Sequence, residues 1–165
     1  MTAQEINDRI QNTFADSVLE FNDTVLQPYL KINPAKFYEV CQYLRDNEDM
    51  DFNFLNSVSG VDYGEDLGVV YHLYSMTRKH KIVLKVILPR ENPQVSSIAD
   101  LWRTADWHER EVYDLFGVVF LNHPNLRRIL LPDDWEGYPL RKDYVQPETY
   151  NGIPVLHPDM RGDSK

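Results

Sequence analysis

Three segments rich in β-branched and aromatic residues, Phe54 to Tyr63, Val69 to Thr77 and Ile82 to Leu88, are joined by short polar turns. That spacing predicts two consecutive antiparallel hairpins. Gly64-Glu65-Asp66-Leu67-Gly68 is the first turn signal, Arg78-Lys79-His80 is the second, and Pro89 stops the last strand. In that strand positions 82, 84, 86 and 88 are all apolar, whereas Val83, Lys85 and Ile87 make a mixed face. One face of the sheet therefore meets a helical layer, and the other faces something more polar.

Helical segments flank the strands. Residues 5 to 20 form an N-terminal helix in this reading, followed by an extended piece from Val18 to Leu26 that ends at Pro28. Asn33-Pro34 starts a second helix, with Asn33 as N-cap and Pro34 at the first helical position. Its apolar positions Phe37, Val40, Cys41 and Leu44 recur at three and four residues, so one face packs on a core. A loop from Pro89 to Pro93 leads to a long helix expected from Ser96 or Ser97 through Phe116, ended by Gly117. Asp100, three residues after Ser97, is an acidic analogue of a capping box. Ile98, Leu101, Trp102, Ala105, Val112 and Phe116 form the seam of this helix, and Trp107, Arg110, Glu111 and Asp114 fall on another face. The order predicts a two-layer α+β domain over residues 1–131, a small, mainly antiparallel sheet packed by helices. Half of the 10 prolines lie from Pro132 onward. Residues 132–165 therefore read as an extended, Pro-rich C-terminal arm rather than an independent domain, with Tyr144 to Lys165 as a tail.

The chain is 165 residues long with a formal net charge of -9, which argues against nucleic acid and against anionic lipid as partners. A single cysteine, Cys41, excludes an internal disulfide and four-thiolate metal ligation, and fits a reducing cytoplasm. Its place in the second helix reads as a small buried hydrophobe. No secretory leader is evident, and the longest apolar runs are strand-sized. GxGxxG, GxxxxGK[ST] and GxSxG motifs are absent.

The densest polar cluster is His108-Glu109-Arg110-Glu111-Val112-Tyr113-Asp114. Its spacing suits metal binding poorly, because the residue four after His108 is Val112. Arg110 and Asp114 stand i, i+4 and are expected to pair across the helix. Glu109 falls near the seam; it is either buried against Arg127, Arg128 or a cation from another subunit, or solvated at the seam edge. His123, His72 and His80 read as structural or solvated, and Arg127-Arg128 is too short for a nucleic-acid patch. Trp135, Tyr138, Arg141, Lys142, Asp143 and Tyr144 combine aromatic, basic and proline-flanked residues, the types that dominate interfaces. The stretch Glu109 to Tyr144 thus reads as a docking surface without catalytic spacing.

Glu109-Arg110-Glu111-x-x-Asp114-Leu115-Phe116, six further residues, then His123-x-x-x-Arg127-x-Ile129-Leu130 resembles the signature of the 30-kDa subunit of respiratory complex I, the C-subunit of NADH–quinone oxidoreductase in bacteria. The flanks Leu88 to Pro93, Thr104 to Trp107 and Leu131 to Tyr144 agree with it, so the resemblance covers residues 30 to 150. It implies a non-catalytic assembly subunit in the peripheral arm of a proton-pumping translocase, on the cytoplasmic side of the bacterial inner membrane. It also implies docking on the 49-kDa-type subunit that helps form the quinone site, near the iron–sulfur subunits. FMN, iron–sulfur clusters, NADH and quinone would be bound by other subunits, with no cofactor in this chain. Two alternatives stand beside it. One is the same role in a ferredoxin-dependent or hydrogenase-type relative. The other is a standalone metalloenzyme using His108, Glu109, Glu111 and His123.

Overall fold

The computed structural model describes residues 1–155. Among them the chain forms three helices and a five-stranded sheet, with two small two-stranded pairings. The elements are α1 (Ala3–Thr13), β1 (Val18–Asn22), β2 (Tyr29–Ile32), α2 (Phe37–Asp46), β3 (Phe54–Asp62), β4 (Asp66–Tyr74), β5 (Lys81–Pro89), β6 (Gln94–Ser96), α3 (Ala105–Phe116), β7 (Val119–Leu121), β8 (Thr149–Tyr150) and β9 (Ile153–Pro154).

The predicted hairpins are present. β3 pairs antiparallel with β4, and β4 with β5, in a sheet of order β1-β2-β5-β4-β3. β2 joins β5 in parallel, so the sheet is mainly but not wholly antiparallel. Ile82, Leu84, Val86 and Leu88 of β5 are buried with Leu67, Val69, Tyr71 and Leu73 of β4. The same core takes Phe37, Val40, Cys41 and Leu44 from α2, Ile6 and Ile10 from α1, and Ala105 and Val112 from α3. Each fully buried side chain of this size contributes roughly 1.5–3 kcal/mol. The alternation in β5 and the helical spacing in α2 are therefore the main source of the two-layer arrangement. Asn33 caps as expected: its side chain accepts from Ala35 N–H at 3.1 Å, over a 3-10 turn (Pro34–Lys36) that feeds α2.

Two sequence expectations are corrected. The first helix ends at Thr13 rather than running to residue 20, because Asp16 adopts a left-handed backbone (φ 61°) that turns the chain into β1. More consequentially, no helix spans 96 to 104. Gln94, Val95 and Ser96 instead pair in parallel with Val119, Phe120 and Leu121. The turn that follows donates its Ser97 hydroxyl and Ile98 N–H to the Glu109 carboxylate. Those bonds compete with helix formation, as polar side-chain bonds to nearby backbone do. Ile98, Leu101 and Trp102 are buried nonetheless, with the Trp102 indole donating to Phe52 C=O at 2.9 Å.

α3 stops where expected. Gly117 has φ 72°, and its N–H donates to Tyr113 C=O at 2.8 Å. A Cβ at Gly117 would also lie 2.4 Å from the Tyr138 ring and 2.7 Å from the Arg141 guanidinium. Gly117→Ala is therefore expected to cost about 1–2 kcal/mol from backbone strain alone. It should also lift Tyr138 and speed proteolysis within residues 135–144. Thermal unfolding and limited trypsin digestion of the full-length chain check both outcomes.

Candidate functional site

The polar cluster of α3 is turned mostly inward. Glu109 is fully buried, and its two oxygens accept from Ile98 N–H at 2.9 Å and Ser97 Oγ at 2.6 Å. His123, also with a fully buried side chain, has Nε2 at 3.8 Å from Glu109, 3.5 Å from the Asp106 carboxylate and 3.2 Å from Asp106 C=O. Its Nδ1 accepts from Asn125 N–H at 3.0 Å, so the ring proton sits on Nε2 and points at Asp106. Burial pushes the Glu109 carboxyl up to about 7, and the Asp100 and Asp106 charges add to that, while the Ile98 and Ser97 donors pull it back. The buried alternative for Glu109 is the observed one, but its partners are Ser97, Ile98 and His123 rather than Arg127 or Arg128.

Asp114, also fully buried, is a second anchor. One oxygen accepts three successive backbone N–H groups, those of Ile129, Leu130 and Leu131, at 3.0, 2.7 and 3.0 Å. The other accepts from Arg128 at 2.8 Å. Burial alone would raise this carboxyl, but the Leu131 and Leu130 amides, Arg128 and the Ile129 amide outweigh it and hold it below the usual range. The expected Arg110–Asp114 pair is thus corrected: Arg128 takes the aspartate. Arg110, buried as well, donates to the carbonyls of Arg127 (3.2 Å) and Arg128 (3.5 Å) and lies over the Trp107 ring.

Residues 132–144 lie against the end of α3. Arg128 donates to the carbonyls of Trp135 and Gly137, both at 3.1 Å. Arg141 Nε donates to Phe116 C=O at 2.6 Å, and Arg128 and Arg141 both sit over the Tyr138 ring. Lys142 N–H donates to Asp62 at 2.8 Å, and Arg90 bridges Asp62 and Asp143. Burial opposes charge on Asp62, yet Lys142 N–H, Arg90 and Gly64 N–H together lower it to about 2. Tyr144 accepts from the Trp135 indole at 3.1 Å, and Tyr150 donates to Asp134 at 2.7 Å. Residues 156–165 of the predicted tail lie outside the described residues.

Glu109, Asp114, His123, Arg127 and Arg128 are thereby brought together with Trp135, Tyr138 and Arg141 around one helix. His108 and Glu111 stand apart, in a cleft beside β3, away from Glu109 and His123. Among the described residues no group of three or more His, Cys, Asp or Glu side chains is placed to hold a metal ion, and no helix is long and apolar enough to cross a membrane. Sequence reasoning missed Ser97, Asp62 and Arg90 as partners of this region; only Arg90, within a flank of the signature, carried any signal. It also missed a set of exposed apolar side chains, Leu130 (61%), Leu140 (52%) and Val145 (86%), whereas Trp107 (64%) lies off the seam as its helical spacing places it.

The family match and the sequence relatives agree on one family. The family described as "Respiratory-chain NADH dehydrogenase, 30 Kd subunit" matches residues 30–150. The C-subunit of NADH-quinone oxidoreductase from Chloroherpeton thalassium is 46% identical over 88% of this chain, and that from Chlorobium phaeobacteroides is 41% identical over 90%. The chain spans 62% of the Chloroherpeton protein's length and 92% of the Chlorobium protein's. Among solved structures, a trypsin-resistant fragment of Nqo5 superposes with a TM-score of 0.64 at 29% identity, covering 76% of this chain and 100% of the fragment. A chain of the membrane-bound sulfane sulfur reductase, an archaeal respiratory membrane complex, shares the fold with a TM-score of 0.71 at 22% identity, over 86% of this chain and 85% of that one.

The Glu109 pocket makes stability depend on pH in a defined direction. An unfolded glutamate releases its proton near 4.5, whereas the folded chain holds it to about 7. The contribution of Glu109 to stability is therefore greatest below that window, falls as pH rises through it, and is level above it, a change of about 3 kcal/mol. Glu109→Gln keeps an acceptor for Ile98 and offers Ser97 a donor, so it should gain about 3 kcal/mol on the wild type between pH 4 and pH 8. Urea unfolding at both pH values checks this; a difference independent of pH would remove the buried, protonated glutamate from the account.

Proposed function

We propose, starting from the fact that this chain belongs to the 30-kDa subunit family of respiratory-chain NADH dehydrogenase, that it is a structural, non-catalytic subunit of an NADH–quinone oxidoreductase. In this reading it sits in the peripheral arm on the cytoplasmic side of the membrane, docked on the 49-kDa-type subunit and beside the iron–sulfur subunits. Electron transfer from NADH to quinone then runs through groups held by those other subunits. This chain's contribution is to hold them in place, and its contact with the membrane is indirect.

The observation that carries the reading is the division of labour around α3. The buried charged groups of the signature, Glu109, Arg110 and Asp114, are taken up by contacts within the chain. The side chains left over on the outer surface are large and apolar: Trp107, Leu130, Leu140 and Val145. Apolar side chains held out by a rigid, internally bonded frame suit a partner surface better than water. The exposed members of the signature region, Glu111, Arg127, Lys142 and Asp143, supply a polar rim. Names carried by the relatives, subunits of an oxidoreductase, support the same assignment.

Leu130→Asp and Leu140→Asp test it without touching the frame. A tagged chain carrying both changes should recover at least about tenfold less of the other complex subunits than the unaltered tagged chain. Its own thermal unfolding should stay close to the wild type, since surface changes of this kind cost little. Full recovery with both substitutions would contradict the docking assignment.

A further inference from the structure

The sheet ends in an edge strand with a gap in its cover. Among the described residues β3 pairs only with β4, and α3 packs against it, with Val58 buried and the Phe116 ring seated on Gly60. Tyr63 N–H donates to Asp66 C=O at 2.9 Å, which sets the hairpin phase. Counting back in the register, Val61, Ser59 and Ser57 turn their backbone groups toward Gly68, Val70 and His72, so Val58, Gly60 and Asp62 turn theirs outward. The chain covers both ends of this edge itself. Thr104 Oγ reaches Leu55 C=O at 3.5 Å at one end, and the Asp62 side chain holds Lys142 N–H at the other. Between them lies a cleft of about 340 Å³, with Ser57 to Gly60 on one wall and His108, Glu111 and Leu115 on the other. Leu140 stands half exposed at its rim.

We infer that this cleft receives an extended segment of a partner polypeptide, added as a further strand on β3. The inference rests on the assembly reading above and goes beyond it by extending the docking surface past Leu140 and Glu111 to the edge of β3 and naming the form of its occupant. Open strand edges recruit other strands, and natural chains usually blunt them with lysine or proline. The outward-facing positions Val58 and Gly60 carry neither. Two N–H and two C=O groups, regularly spaced, call for an occupant with backbone groups in the same spacing. The helical wall supplies apolar surface from the half-buried Leu115 and Phe116 for alternate side chains of that strand. Glu111 is exposed and makes no ion pair among the described residues. The segment that fits is therefore extended, apolar at alternate positions on the helix side, and cationic opposite Glu111. The chain's own C-terminal segment does not fill the cleft within the described residues, because Tyr150 packs on Trp135 and bonds Asp134 instead. A second copy is disfavoured by a net charge of -9 on each chain.

Amide hydrogen exchange at single-residue resolution tests the added strand, comparing the free full-length chain with the complex purified through a tag on it. Exchange at Val58 and Gly60 should slow by about 100-fold on assembly. Ser57 and Ser59, already bonded to β4, should change far less and serve as internal controls. Unchanged exchange at Val58 and Gly60 in a complex that is recovered intact overturns the added strand and leaves the assembly reading standing. Slowing that appears in the free chain as its concentration rises overturns the partner strand in favour of self-pairing. Failure to recover any complex overturns the assembly reading itself, and the inference with it.

Discussion

The buried pairing of Asp114 with Arg128 joins three parts of the chain: the end of α3, residues 128–131 and the Pro-rich segment that follows. Asp114 leaves the end of α3 and collects the amides of residues 129–131 on one oxygen. Arg128, fixed by the other oxygen, reaches on to the carbonyls of Trp135 and Gly137. A buried pair of this kind adds little net stability over apolar packing, but removing one partner costs about 3–5 kcal/mol. Its main effect is therefore specificity of position: it decides where the Pro-rich segment begins and which way it runs.

That segment has almost no core of its own. Among the described residues, none of the buried hydrophobic side chains lies beyond Phe120. Ordering such a stretch costs on the order of 1–2 kcal/mol per residue in backbone entropy. Bonds from Asp62, Arg90, Arg141 and Arg128 offset that cost before any partner arrives. In the proposed docking, a partner would meet an apolar surface whose side chains are already placed, and less of the binding energy would be lost to ordering. In the proposed function, signature residues buried in this frame would act on assembly by holding Leu130, Leu140 and Trp107 in position. Glu109 belongs to the same frame one turn earlier, where it ties the turn after β6 to α3.

Periodic features were legible in the sequence. The period-two pattern of β5 and the three-and-four spacing of Phe37, Val40, Cys41 and Leu44 follow from burial of one face, which any sequence window reveals. The stretch from Ser96 to Thr104 was not legible. Its apolar residues have helical spacing, but β6 is fixed by a parallel partner 25 residues later, at Val119 to Leu121. Arg110 and Asp114 illustrate the same limit. Their i, i+4 spacing is right for a surface pair, yet Arg128 and three backbone amides compete for the carboxylate and win because they surround it. Residue types alone make the cluster an interface candidate. The exposed Leu130 and Leu140, and the partners Asp62 and Ser97, emerge only from the packing. No pattern in the chain marks which of two arginines faces inward.

Amide exchange at Ile129, Leu130 and Leu131 in the free, full-length chain tests most directly whether the signature builds an internal frame. If Asp114 binds these three amides before assembly, they should be protected by about 100-fold or more over an unstructured loop, and Asp114→Ala should abolish the protection. Rapid exchange in the free chain, with protection gained only in the complex, would contradict the account and make the partner the source of the order around Asp114.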